Sequence, residues 1–392
     1  MKKKILFCYP SMMIGGSTTA LLSLLNNLDP VKYEIDLQLF RNEGPLLDVI
    51  PAYVNLLPEA ELHKGSMSRL TKLCKFVFGG YALKFLVKGK KWRVGIMGEF
   101  QSRMLSRKLT KEYDYAIGFV EGWSDWHVAY GVKAKKKYGW IHSTYANITP
   151  EPRSELPWMK RVDKIAFVTD SCKAAFVEVL PQMAEKTITV ANITDSGIIR
   201  KRSQQCDKTD ADYCRFIESD LFKIITVCRL TIGVKGLDRI VNAAKELKAE
   251  GHNFLWYIIG DGEDKTMLQE MIQSAGVEDC VIPIGKRMNP YPFIAAADIM
   301  CMPSRYEGKP ITVTESMILG TPPVVTEYLS AHDQIEHGVE GFVMPNEDEA
   351  ITDAVENCMK NSVLLQRMRK KLTEREYGNA DYVGIIEKML LI

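Results

Sequence analysis

The 392-residue chain has no apolar run approaching 18 residues, no CxxC pair and no excess of one charge. The first absence excludes a membrane-spanning helix. The opening Met1-Lys2-Lys3-Lys4 has the basic flank of a secretory leader, but its apolar run, Ile5 to Tyr9, stops at Pro10 and is too short for one. Nine cysteines, an odd number at scattered positions, fit neither a disulfide scaffold nor a zinc spacing, and predict reduced, mostly buried thiols. Lys and Arg total 51 against 49 Asp and Glu, so no global field recruits nucleic acid. There is no GxGxxG either, which leaves nicotinamide binding unsupported. With 46% hydrophobic residues the chain is rich enough to fold, and it is expected to be cytoplasmic.

The length corresponds to about two or three average domains. Short apolar runs rich in β-branched residues recur at 5–9, 33–40, 113–119, 138–142, 164–169 and 187–191. The rhythm repeats at 222–228, 254–260, 280–285, 298–303 and 322–326, with helical periods between, such as Leu237–Ala249 and Lys265–Ala275. Strands too apolar to alternate, each joined by a helix, predict parallel sheets covered on both faces. Two such series are too many strands for one ordinary sheet. The polar stretch 196–220 reads as a linker between an N-terminal α/β domain (1–195) and a C-terminal one (221–375). The last helix (376–392) is apolar on one face and needs a surface, the N-terminal domain being one candidate. Two doubly wound domains facing across a cleft would place a ligand between them, at the carboxyl ends of strands.

Three segments carry candidate chemistry. Gly15-Gly16 lies between the first strand and a helix, where bare backbone N–H groups can approach an anion; the alternative is a turn that needs positive φ. Arg229 ends a strand and Lys235-Gly236 follows just before a helix, so a guanidinium fork and an ammonium can converge on phosphates. The segment Pro303 to Met317 turns through Gly308 and Pro310 into a helix, with Glu307 before the turn and Glu315 inside that helix. Both carboxylates can face one hollow and accept hydrogen bonds from vicinal hydroxyls. Dipole compensation accounts for Glu307 but not for Glu315, deeper in an apolar helix.

These residues, with Trp140-Ile141-His142, Asn192-Ile193-Thr194-Asp195, Gly260-Asp261-Gly262, Ala297-Asp298 and Gly320-Thr321-Pro322, stand in the order found in one family. The chain resembles the family-4 retaining glycosyltransferases of the GT-B fold, of the bacterial surface-polysaccharide type, along nearly its whole length. The Glu307-to-Glu315 segment resembles that family's EX7E signature. The resemblance implies two Rossmann-like domains and a nucleotide-diphosphate sugar, most often a UDP-sugar, as donor. It implies that Arg229 and Lys235 bind the diphosphate, that Gly15 and Gly16 touch it from the opposite lobe, and that Glu315 takes the ribose hydroxyls. Glu307 would hold the transferred sugar with the backbone of Gly308, Lys309, Pro310 and Ile311. His142 would contact that sugar near the reacting centre, and Gly285, Lys286 and Arg287 would lie beside the base. In such enzymes the departing phosphate is thought to accept the acceptor's proton, so no dedicated base and no cofactor is implied. Lys309 stands where relatives often carry an apolar residue; it is expected to reach solvent, with contact to an anionic sugar as the alternative.

Asp210-Ala211-Asp212 spells the DxD of metal-dependent transferases, but it falls in the polar stretch rather than at a strand end, so no metal site is expected. From Lys64 to Lys111 cations interleave with apolar residues, with Glu99 the lone acid, and Lys133, Lys135, Lys136 and Lys137 follow. Such a pattern over 64–137 fits an amphipathic surface on an anionic membrane, as for a peripheral enzyme extending a glycan or lipid-linked oligosaccharide at the inner leaflet. A solvated face or attraction to an anionic acceptor are the alternatives. Two other functions stay open: a catalytically silent binding subunit, and a nucleotide-sugar epimerase of the same fold.

Overall fold

The computed structural model describes residues 2–60, 109–145 and 152–390. The chain forms two compact units, one from Met1–Asn192 with Val383–Ile392 and the other from Ile193–Tyr382. The first unit is built on β1 (Lys3–Tyr9), β2 (Tyr33–Leu39), β3 (Val54–Leu56), β4 (Glu112–Gly118), β5 (Lys133–Ile141), β6 (Lys164–Phe167) and β7 (Thr187–Thr189). They pair in the order β3-β2-β1-β4-β5-β6-β7, every pair parallel. The second unit holds β8 (Phe222–Val227), β9 (Phe254–Ile259), β10 (Val281–Gly285), β11 (Ile299–Met302), β12 (Pro323–Thr326) and β13 (Phe342–Met344). Their order is β10-β9-β8-β11-β12-β13, again parallel throughout.

Parallel strands need covering on both faces, and the residues comply. β9 is buried at all six positions. One apolar layer of the second unit gathers Ile224, Trp256 and Ile299 with helix Leu237–Ala249; the opposite layer gathers Ile225, Tyr257 and Met300 with helix Ile311–Ile318. Alternate residues of each strand thus face opposite layers. In each sheet the strand order reverses once at the centre, between β1 and β4 and between β8 and β11. Loops leaving two such strands diverge and open a crevice at their carboxyl ends.

The structure departs from the sequence reading in three places. Residues 196–220 are not a linker: they form helices Ser196–Ser203 and Ala211–Glu218, capped by Asp195 and Asp210. Ile199, Tyr213 and Phe216 of these helices lie in the second unit's core, outnumbered in the sequence by the polar residues around them. The second unit accordingly begins at Ile193, and residues 376–382 belong to it; helix Val383–Leu390 belongs to the first, with Ile386 buried and Glu387 3.2 Å from Lys32. β3 and β13, three residues each at sheet edges, carry too little pattern to be read.

The cationic run is the third departure. Its portion from Lys64 to Lys108 lies outside the described residues. The remainder does not form a helical face: Lys133, Lys135, Lys136 and Lys137 lie on β5. Lys133 faces Glu112 at 3.9 Å, Lys135 faces Asp114 at 2.7 Å and Lys136 faces Asp163 at 3.5 Å. Lys137 donates to the Ala129 carbonyl, and Lys111 bridges Glu34 and Asp36. Of these cations Lys111, Lys133, Lys135 and Lys136 thus have acidic partners. Among the described residues no helix is long and apolar enough to cross a membrane.

One glycine sets how closely the central loops of the second unit approach. Gly236 (φ 64°) sits under the Pro303 carbonyl, where an added Cβ would come within 2.0 Å of the oxygen. Gly251 (φ 84°) has open space around it. Gly251→Ala should therefore cost the left-handed backbone penalty alone, ~1–2 kcal/mol. Gly236→Ala adds a backbone collision and should lower the melting temperature clearly further in parallel thermal unfolding; equal shifts would show that the loops do not need this approach.

Candidate functional site

The crevice at β8 and β11 is assembled from two loops. Arg229 follows β8 and is exposed. Its loop is fixed from behind: Leu230 N–H donates to the Asp261 carbonyl at 3.0 Å, and Ile232 N–H donates to Asp264 Oδ2 at 2.7 Å. The Gly260-Asp261-Gly262 segment runs against this loop so tightly that a Cβ on Gly262 would meet the Leu230 carbonyl oxygen at 2.3 Å. The short helix Ile232–Lys235 then brings Lys235 into the crevice.

The facing loop, residues 303–310, leaves β11. Arg305 anchors it: its backbone N–H donates to the Val234 carbonyl at 2.8 Å and its guanidinium grips Asp238 in a bidentate pair at 2.8 and 2.7 Å. Buried Arg239 donates to the Pro303 carbonyl and to Asn346 and Asp348. Thus held, Glu307 Oε1 accepts from Lys235 Nζ at 2.6 Å, with both side chains largely buried. Ser330 Oγ donates to the Gly308 carbonyl, and Gln334 donates to the Pro310 carbonyl at 3.0 Å. Helix Ile311–Ile318 starts after Pro310 with no side-chain cap, which leaves its first N–H groups without side-chain acceptors.

Glu315 lies inside that helix, only 3% exposed, and Tyr291 O–H donates to its Oε1 at 2.8 Å. Burial pushes its carboxyl up to about 7, against the opposing pull of the Tyr291 hydrogen bond and the Arg202 charge. Arg202 stands over the Tyr291 ring, 5.0 Å from its centroid. Sequence reading missed both Tyr291 and Arg202. The only signal was indirect: a carboxylate in an apolar helix needs a donor, and a tyrosine at the start of helix Tyr291–Ala296 can supply one.

Of the residues expected beside the base, Gly285 ends β10 with φ 75°. The cations that follow it are already engaged. Lys286 pairs with Asp261 at 3.2 Å; Arg287 pairs with Asp210 at 2.8 Å and Asp212 at 2.6 Å. Asp210 therefore caps helix Ala211–Glu218 and, with Asp212, clamps Arg287. Among the described residues the group with metal-ligand spacing is instead Glu250, His252 and Glu356, away from this crevice, where Lys360 also bonds Glu356. Lys309 corrects an expectation: it does not project freely into solvent but is half-buried, and burial lowers its ammonium's pKa with Asp333 acting in the opposite direction.

In the first unit, Gly15 and Gly16 follow β1. Gly15 is extended (φ 177°) and neither glycine has positive φ, so the turn explanation fails; a Cβ on Gly15 would meet nothing. The loop before it is stapled by Tyr9 O–H, 2.7 Å from Ser17 Oγ, and by Thr18 Oγ1 donating to the Met13 carbonyl. Helix Gly16–Asn27 thus begins without a side-chain cap. His142 follows β5; its backbone N–H donates to Glu121 at 2.9 Å, and Ser143 Oγ donates to the same carboxylate at 2.6 Å. Burial lowers the imidazole pKa, partly offset by Glu121 and the Phe119 backbone, so the ring is neutral at pH 7. Its Nε2 is buried with no hydrogen-bond partner among the described residues.

Residues 215–376 match a family model described as glycosyl transferases group 1. Among curated relatives, the chain is similar to the amylovoran biosynthesis glycosyltransferase AmsK of Erwinia amylovora, 33% identical over 141 residues, which is 34% of either chain. It is also similar to alpha-D-kanosaminyltransferase of Streptomyces kanamyceticus, 30% identical over 34% of this chain and 36% of the relative. The matched stretch thus spans about a third of these relatives' length. Over the whole chain the fold is similar to that of Anabaena HepE in complex with UDP and glucose, with TM-score 0.71, 16% identity and full coverage of both chains. The fold is GT-B.

Unfolded, Glu315 ionises at the ordinary 4.5; folded, at about 7. Between these values the folded state holds the extra proton, so ionisation destabilises the fold as pH rises through that window. Glu315→Gln has no proton to lose. Its melting temperature relative to wild type should rise from pH 5 to pH 8, and a pH-independent difference would refute the raised pKa.

Proposed function

We propose that the chain, whose residues 215–376 match the model of the glycosyl transferases group 1, is a retaining, metal-independent glycosyltransferase. It moves a hexose-type sugar from a UDP-sugar to a glycan or lipid-linked acceptor in surface polysaccharide synthesis. One observation carries the reading: Lys235 and Glu307 meet at 2.6 Å where β8 and β11 diverge, Arg229 lies on the same loop as Lys235, and Glu315 is on the helix that the Glu307 loop enters.

The chemistry follows from charge. When the anomeric C–O bond breaks, its electron pair stays on the phosphate oxygen and the sugar becomes cationic. Arg229 and Lys235 oppose the phosphate charge as it grows, so they stabilise the transition state more than the bound donor. In the free protein Glu307 neutralises Lys235. A diphosphate that takes the ammonium lets Glu307 exchange Lys235 for the sugar's hydroxyls. Glu315, ionised, accepts both ribose hydroxyls while Tyr291 holds its other lone pairs in place. The uncapped first turn of helix Ile311–Ile318 adds N–H donors to the same loop. The acceptor oxygen then bonds to the anomeric carbon on the face the phosphate leaves, and its proton passes to that phosphate oxygen. No carboxylate must act as base, and Asp210 and Asp212 are committed to Arg287. His142, in the first unit, is proposed to act on the same reaction as a neutral hydrogen-bonding group. The acceptor class rests on relatives such as the amylovoran biosynthesis glycosyltransferase.

Arg229→Ala and Lys235→Ala should each lower turnover by about 10²–10³, the usual loss for one transition-state donor, while KM for the donor changes far less. Near-normal turnover in both variants would refute their role. NMR of the sugar released by slow donor hydrolysis should show the donor's anomeric configuration, undiminished by a chelator. Inversion, or chelator sensitivity, would contradict the mechanism; no UDP release at all would favour a silent binding subunit, and sugar interconversion an epimerase.

A further inference from the structure

His142 is tied at two points to one short stretch of chain, residues 119–121. Strands β4 and β5 pair with Gly118 opposite Gly139, and Glu121 and His142 lie equally far beyond that pair. Glu121 Oε2 accepts from the His142 backbone N–H at 2.9 Å, and its Oε1 accepts from Ser143 Oγ at 2.6 Å. Asp125, in the helix Trp123–Gly131 that follows, accepts from Trp140 N–H at 3.2 Å. The chain leaving β4 thus grips the end of β5 on both sides of the histidine.

The ring is fixed as well. The Phe119 ring lies 5.0 Å from it and the Trp140 ring 6.0 Å, the latter stacked at 18°. The imidazole also hydrogen-bonds the Phe119 backbone. Phe119 N–H is committed to the Cys8 carbonyl at 3.1 Å, so the Phe119 carbonyl accepts and the ring donates. Nε2 is buried with no partner among the described residues, which makes Nδ1 the donor. A neutral ring with its proton on Nδ1 carries a bare lone pair on Nε2. What His142 can offer a substrate is therefore an acceptor for a hydroxyl, in one tautomer and one orientation.

We propose that Glu121 is a positioning residue of the transfer reaction: by holding the His142 backbone and Ser143 it seats the imidazole on Phe119 and keeps Nε2 as the bare acceptor. The inference rests on the reading above that His142 acts in the reaction. Glu121 does so without touching a reacting atom, since its two oxygens take one bond each from consecutive residues and so fix how the chain leaves β5. Without it the ring would lose its backbone anchor, and misplacement by about 1 Å is enough to cost about a hundredfold in rate.

The test joins a double-mutant cycle in kcat to 15N NMR of the full chain labelled at histidine, without ligand. The cycle follows UDP release from whichever of UDP-glucose, UDP-galactose and UDP-N-acetylglucosamine wild type hydrolyses fastest. Glu121→Ala should lower kcat by about ten- to a hundredfold while donor KM changes little. Glu121→Gln, whose carbonyl and amide can meet the same two groups, should recover most of that loss. In a His142→Ala background Glu121→Ala should cost little more, because it acts through the ring. The signals that vanish in His142→Ala should show Nε2 unprotonated in wild type and a mixture of tautomers in Glu121→Ala. Ser143→Ala, which removes one of the two bonds, should give a smaller loss of the same kind, and it carries the cycle should thermal unfolding show that Glu121→Ala does not fold. Additive losses, a loss confined to donor KM, or an Nε2–H tautomer in wild type would overturn the inference. If His142→Ala lowers kcat and Glu121→Ala does not, only the role of Glu121 falls. If His142→Ala turns over normally, the reading of His142 falls and this inference with it. If wild type hydrolyses none of the three sugars, the tautomer signals decide alone.

Discussion

The ion pair between Lys235 and Glu307, 2.6 Å long, joins the two loops that leave the central strands of the second unit. Everything around it serves to hold those loops at one distance. Gly236 lets the Lys235 loop pass beneath the Pro303 carbonyl, and Arg305 ties the Glu307 loop back through Val234 and Asp238. Buried Arg239 braces the same turn from below. The pair is largely desolvated, so breaking it without a substitute would leave two buried charges exposed to a low dielectric. In the proposed reaction an incoming diphosphate would substitute for one partner and sugar hydroxyls for the other.

Glu315 shows the same economy with a neutral group. Its carboxyl sits near the protonation balance because burial outweighs the tyrosine that donates to it. Hydroxyl donors from a ligand favour the ionised form, so binding and proton release are coupled at this residue. Around the crevice, then, the charged side chains differ in how completely they are satisfied. Lys235 and Arg305 are paired, and Glu315 is half satisfied. The unsatisfied one marks where a ligand has work to do.

Much of this was legible in the chain. Fully apolar runs separated by helical periods identify parallel sheets, and the observed β1, β2, β4 and β8 to β12 fall on those runs. Lys235, Glu307 and Glu315 could be picked out because a cation before a helix and two acids flanking a turn have no comfortable role in a core. What escaped was long-range. Tyr291 is 24 residues from Glu315, and nothing local marks it as the partner. Asp210 and Asp212 look like metal ligands until Arg287, more than 70 residues away, folds onto them. The lysines of β5 look like a basic face until the sheet register brings Glu112 and Asp114 beside them. Helices Ser196–Ser203 and Ala211–Glu218 bury single side chains into a surface the sequence does not display.

A crystal structure of the full chain with UDP bound tests the central claim most directly. The account predicts that Lys235 Nζ leaves Glu307 for the terminal phosphate, that Arg229 closes on the same diphosphate, and that both ribose hydroxyls donate to Glu315. A complex in which the Lys235–Glu307 pair stays intact, with the ribose away from Glu315, would contradict it.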